Sequence, residues 1–316
     1  MPTLALAGDV MLGRGVNEAL KYMRPGEPWG NVLPLLAEAD LRIVNLECAL
    51  TAHNRPWSRG WKMFHFRADP EAVNVLQAAG IDACSLANNH TLDYEEEGLL
   101  ETLRVLDAAN IRHAGAGMNA REAVQPALIE TRGTNPWRVA LLAFTDNEPD
   151  FAAQADRPGT NFLEIATDEA TLARIASGIA QARARGAGLV VFSNHWGANF
   201  VERPSPLFRD FARRVIDLGA DVYYGHSAHI CQGVEIYRGK PILYATGDFI
   251  DDYAIHPLMR NDRSCLFRLD FGGEKLKKIE LVPVTLSVAR ITLARGEEFE
   301  AICRRMTALC NEMGTS

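Results

Sequence analysis

Six cysteines in 316 residues, at 48, 84, 231, 265, 303 and 310, form no CxxC pair. That is too scattered for a disulfide framework or a zinc knuckle, and it fits buried thiols in a reducing cytoplasm. Positive charge is also short: 33 Lys and Arg stand against 40 Asp and Glu, a net charge of -7. Phosphate binding relies on an excess of cations, so a nucleic-acid partner is not expected. The lack of a polybasic run argues likewise against an anionic membrane surface. No window has the length of apolar sequence needed to cross a bilayer. The opening MPTLALAGDVMLGRG has no basic n-region and is broken by Gly8 and Asp9, so it does not read as a signal peptide. Low-complexity tracts, internal repeats and an evident linker are missing too. What remains is a composition that is 47% hydrophobic, enough for a large core, read as one domain over residues 1–316.

The chain alternates short strand-like runs with helical patterns. TLALAG, LRIVNL, IDACSL, IRHAGAG, QPALIET, RVALLAF, GLVVFSN and ADVYYG read as strands. GRGVNEALKYM, PEAVNVLQAAG, EEEGLLETLRVLDAAN, EATLARIASGIAQARARG and PLFRDFARRVIDLG read as helices. Residues 52–68 and 146–164 read as irregular. Beyond residue 230 the period changes to that of β-hairpins, one turning at Arg238-Gly239 and another at Gly272-Gly273. A last amphipathic helix, EEFEAICRRMTALCNEM, reads as a peripheral cover. The pattern predicts a mixed α/β fold with helices outside.

Polar residues gather where strands end. Gly8-Asp9 follows the first strand, Asn45-Leu46-Glu47 the second, and Asn88-Asn89-His90 the third, with Asp93 three residues on. Asn194-His195, Gly225-His226 with His229, and Gly247-Asp248 close later strands. Each has a structural alternative: Asp9 as a helix N-cap, Glu47 paired with an arginine, the asparagines as turn formers, a histidine satisfied in the core. Taken together they point to a ligand site, because loops at the carboxyl ends of strands converge over one crevice. Asp, Glu, Asn and His without Cys form the ligand mixture of Mn, Fe or Zn sites.

GDVMLGR, NLE, FHFRADPEAVNVLQAAGIDACSLANNHTLDY, HAGAG, SNHWG and GADVYYGHSAHICQGVEIYRGKPILYATGDF, in this order, resemble the CapA family, named for a poly-gamma-glutamate capsule biosynthesis protein. That family belongs to the calcineurin-like metallophosphatase superfamily. The resemblance covers residues 3–250 and leaves a C-terminal hairpin and covering helix at 264–313. It implies a four-layered α/β/β/α sandwich with one or two divalent ions (Mn, Zn, Fe or Ca) at the strand ends. It also implies Asp9, Glu47, Asn89, His195, His226 and His229 as ligands, with Glu47 bridging two metals. His90 is the implied proton donor, aimed by Asp93.

The sequence departs from the superfamily pattern in several places. Met11 stands where a ligand His is usual and is expected to pack. The last motif is GHSAH, one residue longer than usual, and GDF with Asp248 replaces the usual GNF. Arg14 is either an anion clamp, and so part of the catalytic set, or a surface residue at a helix start. Trp57, Trp61, Phe64, His65, Phe66 and Arg67 form either a pocket wall for an apolar or peptidic substrate or packing over the sandwich edge. Trp61, His65 and Arg67 are the candidate substrate contacts of that loop, and Trp196 either stacks on substrate or shields the metal. The expected function is metal-dependent hydrolysis of a phosphoester or amide of a small-molecule or gamma-glutamyl, peptide-like substrate. Peptide epimerisation at the same site is the alternative, and a non-catalytic part in capsule assembly is the third.

Overall fold

The computed structural model describes residues 2–131 and 136–315. Fourteen strands build two mixed sheets. In chain order they are β1 (Thr3–Val10), β2 (Leu41–Leu46), β3 (Ala83–Ser85), β4 (Arg112–Ala114), β5 (Ala127–Glu130), β6 (Arg138–Thr145) and β7 (Leu189–His195). Then follow β8 (Val222–His226), β9 (Val234–Tyr237), β10 (Lys240–Leu243), β11 (Asp248–Ile250), β12 (Arg263–Gly272), β13 (Lys275–Ser287) and β14 (Arg290–Leu293). The first sheet runs β14-β13-β12-β1-β2-β3-β4, with β11 beside the end of β1. The second runs β9-β10-β8-β7-β6-β5. Central strands such as β2 (LRIVNL) and β7 (LVVFSNH) are buried along their whole length, as apolar, β-branched runs in parallel sheets with both faces covered should be.

The helices are α1 (Arg14–Leu20), α2 (Leu33–Glu38), α3 (Val73–Ala78), α4 (Glu95–Ala108), α5 (Ala120–Ala123), α6 (Glu169–Ala184), α7 (Pro206–Asp217) and α8 (Gly296–Glu312). Their starts are legible locally. Asp168 and Ser205 cap α6 and α7 by accepting the amides of Thr171 and Phe208, Pro206 occupies the first turn of α7, and three acids open α4. One core lies between the first sheet and α1 to α4, a second between the two sheets, and a third between the second sheet and α6 and α7. The layers are therefore α/β/β/α, as the resemblance implied.

Residues 27–38, for which no element was expected, form a 3-10 segment (Glu27–Val32) kinked at Gly30 and then α2, and bury Trp29 in the outer core. Three local expectations change. The second hairpin turns one residue later, since Gly272 still pairs with Lys275. Within the stretch read as irregular, Arg67–Ala68 pairs with Ala49–Leu50. Helix α8 is more than a peripheral cover: Ile302, Met306 and Leu309 enter the core between the sheets. Each such buried side chain contributes about 1.5–3 kcal/mol relative to exposure.

One close approach shapes the site. A Cβ on Gly8 would lie 1.8 Å from the carbonyl oxygen of Gly247, so only glycine lets that loop cross β1. The Asp9 amide then donates to that oxygen at 2.9 Å, which sets Asp248 in register beside Asp9.

Candidate metal centre

The parallel strands of both sheets deliver their polar ends to one place. Asp9 ends β1 opposite Asn45, His195 ends β7 opposite His226, and Glu47, Asn89 and His229 follow in the next loops. His229 takes a positive φ of 58°, a left-handed conformation that turns the chain back after β8. The donor atoms of Asp9, His195 and His226 lie within 4.8 Å of one another, and so do those of Asp9, Glu47 and His229. Asp9 is common to both groupings, and Glu47, which the resemblance implied as the bridge, is in one of them.

A fixed polar frame surrounds these donors. The Asn45 side-chain amide donates to Asp9 Oδ1 at 2.8 Å and reaches Glu47 Oε2 at 3.5 Å, while its oxygen accepts from Asn88 at 3.0 Å. Asn88 also donates to the Leu46 carbonyl and accepts from the His90 amide, so the first asparagine of the pair braces the loop. Ser193 Oγ meets His226 Nε2 at 2.8 Å, leaving Nδ1 toward His195 Nδ1, also 2.8 Å away. Asp248 Oδ1 meets His229 Nδ1 at 2.7 Å.

The electrostatics ask for a cation. Asp9, Glu47 and Asp248 are fully buried, and burial raises their carboxyl pKa values, Glu47 and Asp248 further through the charge of Asp9. Burial lowers His195, His229 and His226, the last to about 3, which keeps them as neutral imidazoles with a lone pair to give. Asp9 Oδ2 and Asn89 Oδ1 are buried with no hydrogen-bond partner among the described residues. Orphaned oxygens beside neutral imidazoles fit a divalent ion, with these residues as its ligands.

His90 stands beside the donors. Its Nδ1 is 2.6 Å from Asp93 Oδ2, and its Nε2 is 3.7 Å from Glu47 Oε1 and 3.2 Å from the Asn89 amide. Phe66 stacks on the ring at 3.8 Å and donates its backbone N–H to Asp93 Oδ2 at 2.6 Å. Burial pushes Asp93 up to about 8, against the opposing charge of Lys62, and holds His90 well below its usual value. Lys62 is buried too. It donates to the Asn89 carbonyl at 2.6 Å and pairs with Glu148 at 3.1 Å and Asp93 Oδ1 at 3.4 Å. It thus ties three loops together, and nothing in RGWK, a run without periodicity, announced it.

The remaining candidates divide. Arg14, at a φ of 51°, is held by Asp252 and lies over the rings of Phe66 and Tyr253 at 4.8 and 5.4 Å, so its charge already has a carboxylate partner. Tyr253 reaches Glu47 Oε1 at 3.4 Å and was not foreseen. His65 sits edge-on to Tyr94, and its Nε2 is buried without a hydrogen-bond partner among the described residues. Arg67 turns to the Thr51 carbonyl and Asp69, away from the donors, and Trp61 is exposed. Trp196 corrects the expectation of a substrate contact. It is 3% exposed, stacks on Phe208 at 4.4 Å and donates to the Tyr244 carbonyl, because its ring fills the third core. Met11 packs as expected, its sulfur accepting the Gly13 amide.

A cavity of about 800 Å³ lies at the other end of the sheet, around Gly80–Asp82 and Ala109–Arg112. That is the amino end of β3 and β4, and it carries none of the donors, so the strand-end cluster is the better candidate.

Four layers with a histidine and carboxylate cluster at the strand ends define a metallophosphatase-like fold. Solved structures agree at the level of fold. A hypothetical protein from Thermus thermophilus aligns with a TM-score of 0.51 at 14% identity, over 89% of this chain and 98% of that one. A putative 5'-nucleotidase from Staphylococcus aureus aligns with a TM-score of 0.50 at 12% identity, over 97% of this chain and 58% of that one. The sequence goes further: a family model described as bacterial capsule synthesis protein PGA_cap matches residues 3–253, and the chain belongs to that family, the CapA family. A probable polyglutamine synthesis accessory protein of Mycobacterium tuberculosis is 32% identical over 96% of this chain and 90% of its own length. The capsule biosynthesis protein CapA of Bacillus anthracis is 30% identical over 90% of this chain and 67% of its own. Among the described residues no helix is long and apolar enough to cross a membrane.

Proposed function

We propose that this protein is a metal-dependent hydrolase of a phosphoester or amide, with a small acidic or peptide-like substrate. One observation carries the reading: a buried His90–Asp93 pair whose Nε2 is 3.7 Å from Glu47, itself a member of the donor cluster. Asp9, Glu47, Asn89, His195, His226 and His229 would hold a divalent ion, whose chemistry would be to acidify a water and polarise the scissile group. The protein's own residues do the rest. Asp93 fixes the orientation of His90 by holding Nδ1, and Phe66 shields one face of the ring from solvent. His90 Nε2 would take a proton from the attacking water and pass it to the leaving atom, a contribution typically of about 10²–10⁴-fold. Lys62 holds the Asn89 backbone and balances Asp93, keeping ligand and donor at a fixed separation. The relatives' names concern capsule and polyglutamine synthesis, which supports an amide of the gamma-glutamyl class as the first substrate to try. Six free cysteines support a reducing, cytoplasmic setting.

The test is turnover of phosphodiester and gamma-glutamyl amide panels in ¹⁸O water, with and without Mn²⁺ or Zn²⁺. Metal-dependent entry of solvent oxygen into product, lost in His90→Ala, is the expected result. Exchange of an α-proton for deuterium without hydrolysis would replace hydrolysis by epimerisation. Purified protein that takes up no metal would leave only an assembly role.

A further inference from the structure

Little of the centre reaches solvent, and what does is framed by rings. The side chains of His229 and His90 are 12% and 7% exposed. Phe66 stacks on His90 with centroids 3.8 Å apart, and Tyr253 stands edge-on to His229 at 5.2 Å. Phe200 lies 6.0 Å from His229, and His256 continues the row at 5.1 Å from Phe200. Phe64 and Tyr253 each adjoin Phe66, at 6.3 and 5.6 Å, so the rings form one arc along the opening. Phe200 takes a φ of 59°, a left-handed conformation uncommon for a bulky residue, and its amide donates to the Ala228 carbonyl at 2.9 Å. The chain is thus pinned with the ring beside a donor histidine, and backbone strain of this kind clusters at ligand clamps. The same loops expose Trp61 and Met63 ahead of Phe64, and Ile255 and Leu258 beyond Tyr253.

The lysines and arginines beside this arc are already paired. Arg14 is held by Asp252, Lys62 by Asp93 and Glu148, Arg203 by Glu312 and Arg260 by Asp262. Arg55, Arg59 and Arg67 pair with Glu97, Glu96 and Asp69. A chain of carboxylates would therefore meet a rim without spare positive charge, on a protein of net charge -7. An apolar group would meet rings and exposed apolar side chains, the surface that marks a binding site. We infer that the substrate carries an apolar group, aromatic or aliphatic, next to its scissile phosphoester or amide, with Phe200 and Tyr253 as its seat, and that a polyanion such as a chain of glutamates is excluded. The inference rests on the hydrolase reading and narrows it, taking the peptide-like substrate over a polyacidic one. The seat was not visible in the sequence, because Phe200, Tyr253 and His256 come together only through contacts around His229.

The experiment compares three phosphonates by calorimetry on the full chain in the presence of Mn²⁺: methylphosphonate, benzylphosphonate and 3-phosphonopropionate. Their carbon–phosphorus bond is not a substrate for phosphoester hydrolysis, so binding is read without turnover. Each offers the same anion to the donor cluster and differs only in what it presents to the rim. Benzylphosphonate is expected to bind at least about tenfold tighter than methylphosphonate, and the carboxylate-bearing analogue no tighter than methylphosphonate. Phe200→Asn should bring the benzyl-to-methyl ratio down to about one, and Phe200→Tyr should keep it. Asparagine tolerates the left-handed conformation, and the comparison on the unmodified protein stands whether or not a variant folds. Equal affinity for benzyl and methyl, tightest binding of the carboxylate-bearing analogue, binding of none of the three, or a ratio untouched by Phe200→Asn would overturn the inference. A benzyl preference in a protein that hydrolyses no amide or phosphoester sinks the proposed reaction alone. Hydrolysis by a protein that binds the carboxylate-bearing analogue best sinks only this inference.

Discussion

Replacing Asp93 with Asn tests the proton-donating pair at a single oxygen. Asp93 Oδ2 accepts from both the Phe66 amide and His90 Nδ1 at 2.6 Å, while Oδ1 faces Lys62 at 3.4 Å. An amide cannot satisfy all three. With its oxygen in the Oδ2 place, its NH₂ confronts the Lys62 ammonium; turned over, its NH₂ confronts the Phe66 N–H. Asp93 is ionised only above about pH 8, and there the lost attraction between Lys62 and the carboxylate is about 5 kcal/mol at an effective dielectric near 20, while Lys62 retains Glu148 as partner. His90 loses the group that holds its tautomer, so the rate should fall by about 10²–10⁴-fold. Metal content should stay unchanged, because Asp93 is in neither donor grouping. The assay is turnover of substrates graded by leaving-group acidity. A proton donor matters most for poor leaving groups, so the deficit should shrink as the leaving group improves. A deficit equal for all leaving groups, or none, would refute the assignment of His90 and Asp93.

Asp146, whose backbone amide donates to the His195 carbonyl but whose carboxyl is in neither donor grouping, offers a pH test: burial raises its carboxyl to about 6, against the Gly197 amide that it accepts. A folded value above the unfolded one means a penalty absent below about pH 4 and complete above about pH 6. Asp146→Asn should therefore be the more stable form above pH 6 by at most about 3 kcal/mol in urea denaturation, with the gap closing below pH 4; a gap constant across pH contradicts this. In metal-free protein the raised carboxyls of Asp9, Glu47 and Asp248 cost stability as pH rises, while the lowered histidines cost it as pH falls below about 6.5. Thermal melts of stripped protein should therefore decline above pH 6.5, and bound metal at a hundredfold excess over its dissociation constant should restore about 2.7 kcal/mol. Trp196→Ala should cost about 3–5 kcal/mol of stability by emptying a core site and orphaning the Tyr244 carbonyl, measured by denaturant titration; a loss of less than about 1 kcal/mol would return the ring to the substrate surface.

Much of this was readable along the chain. Period and breakers located β1, β2, β7, β8 and helices α4, α6 and α7, because both the apolar pattern and the capping chemistry of those segments are local. The meeting of Asp9, Glu47, His195, His226 and His229 was legible as well, since loops at the carboxyl ends of strands converge over one crevice. Contacts made between segments distant in sequence were not legible. Lys62 looks like any lysine in a loop until Asn89, Asp93 and Glu148 arrive around it, and Trp196 looks exposed beside a metal ligand until Phe208 covers it. The sequence by itself determined which residues could bind a cation and on which strands they lie, because donor chemistry and strand periodicity are properties of short segments. The tertiary structure alone decided that Asp9 belongs to both donor groupings, that Asp248 meets His229, and that α8 closes the core between the sheets, because those relations depend on strand register and on where the second sheet packs.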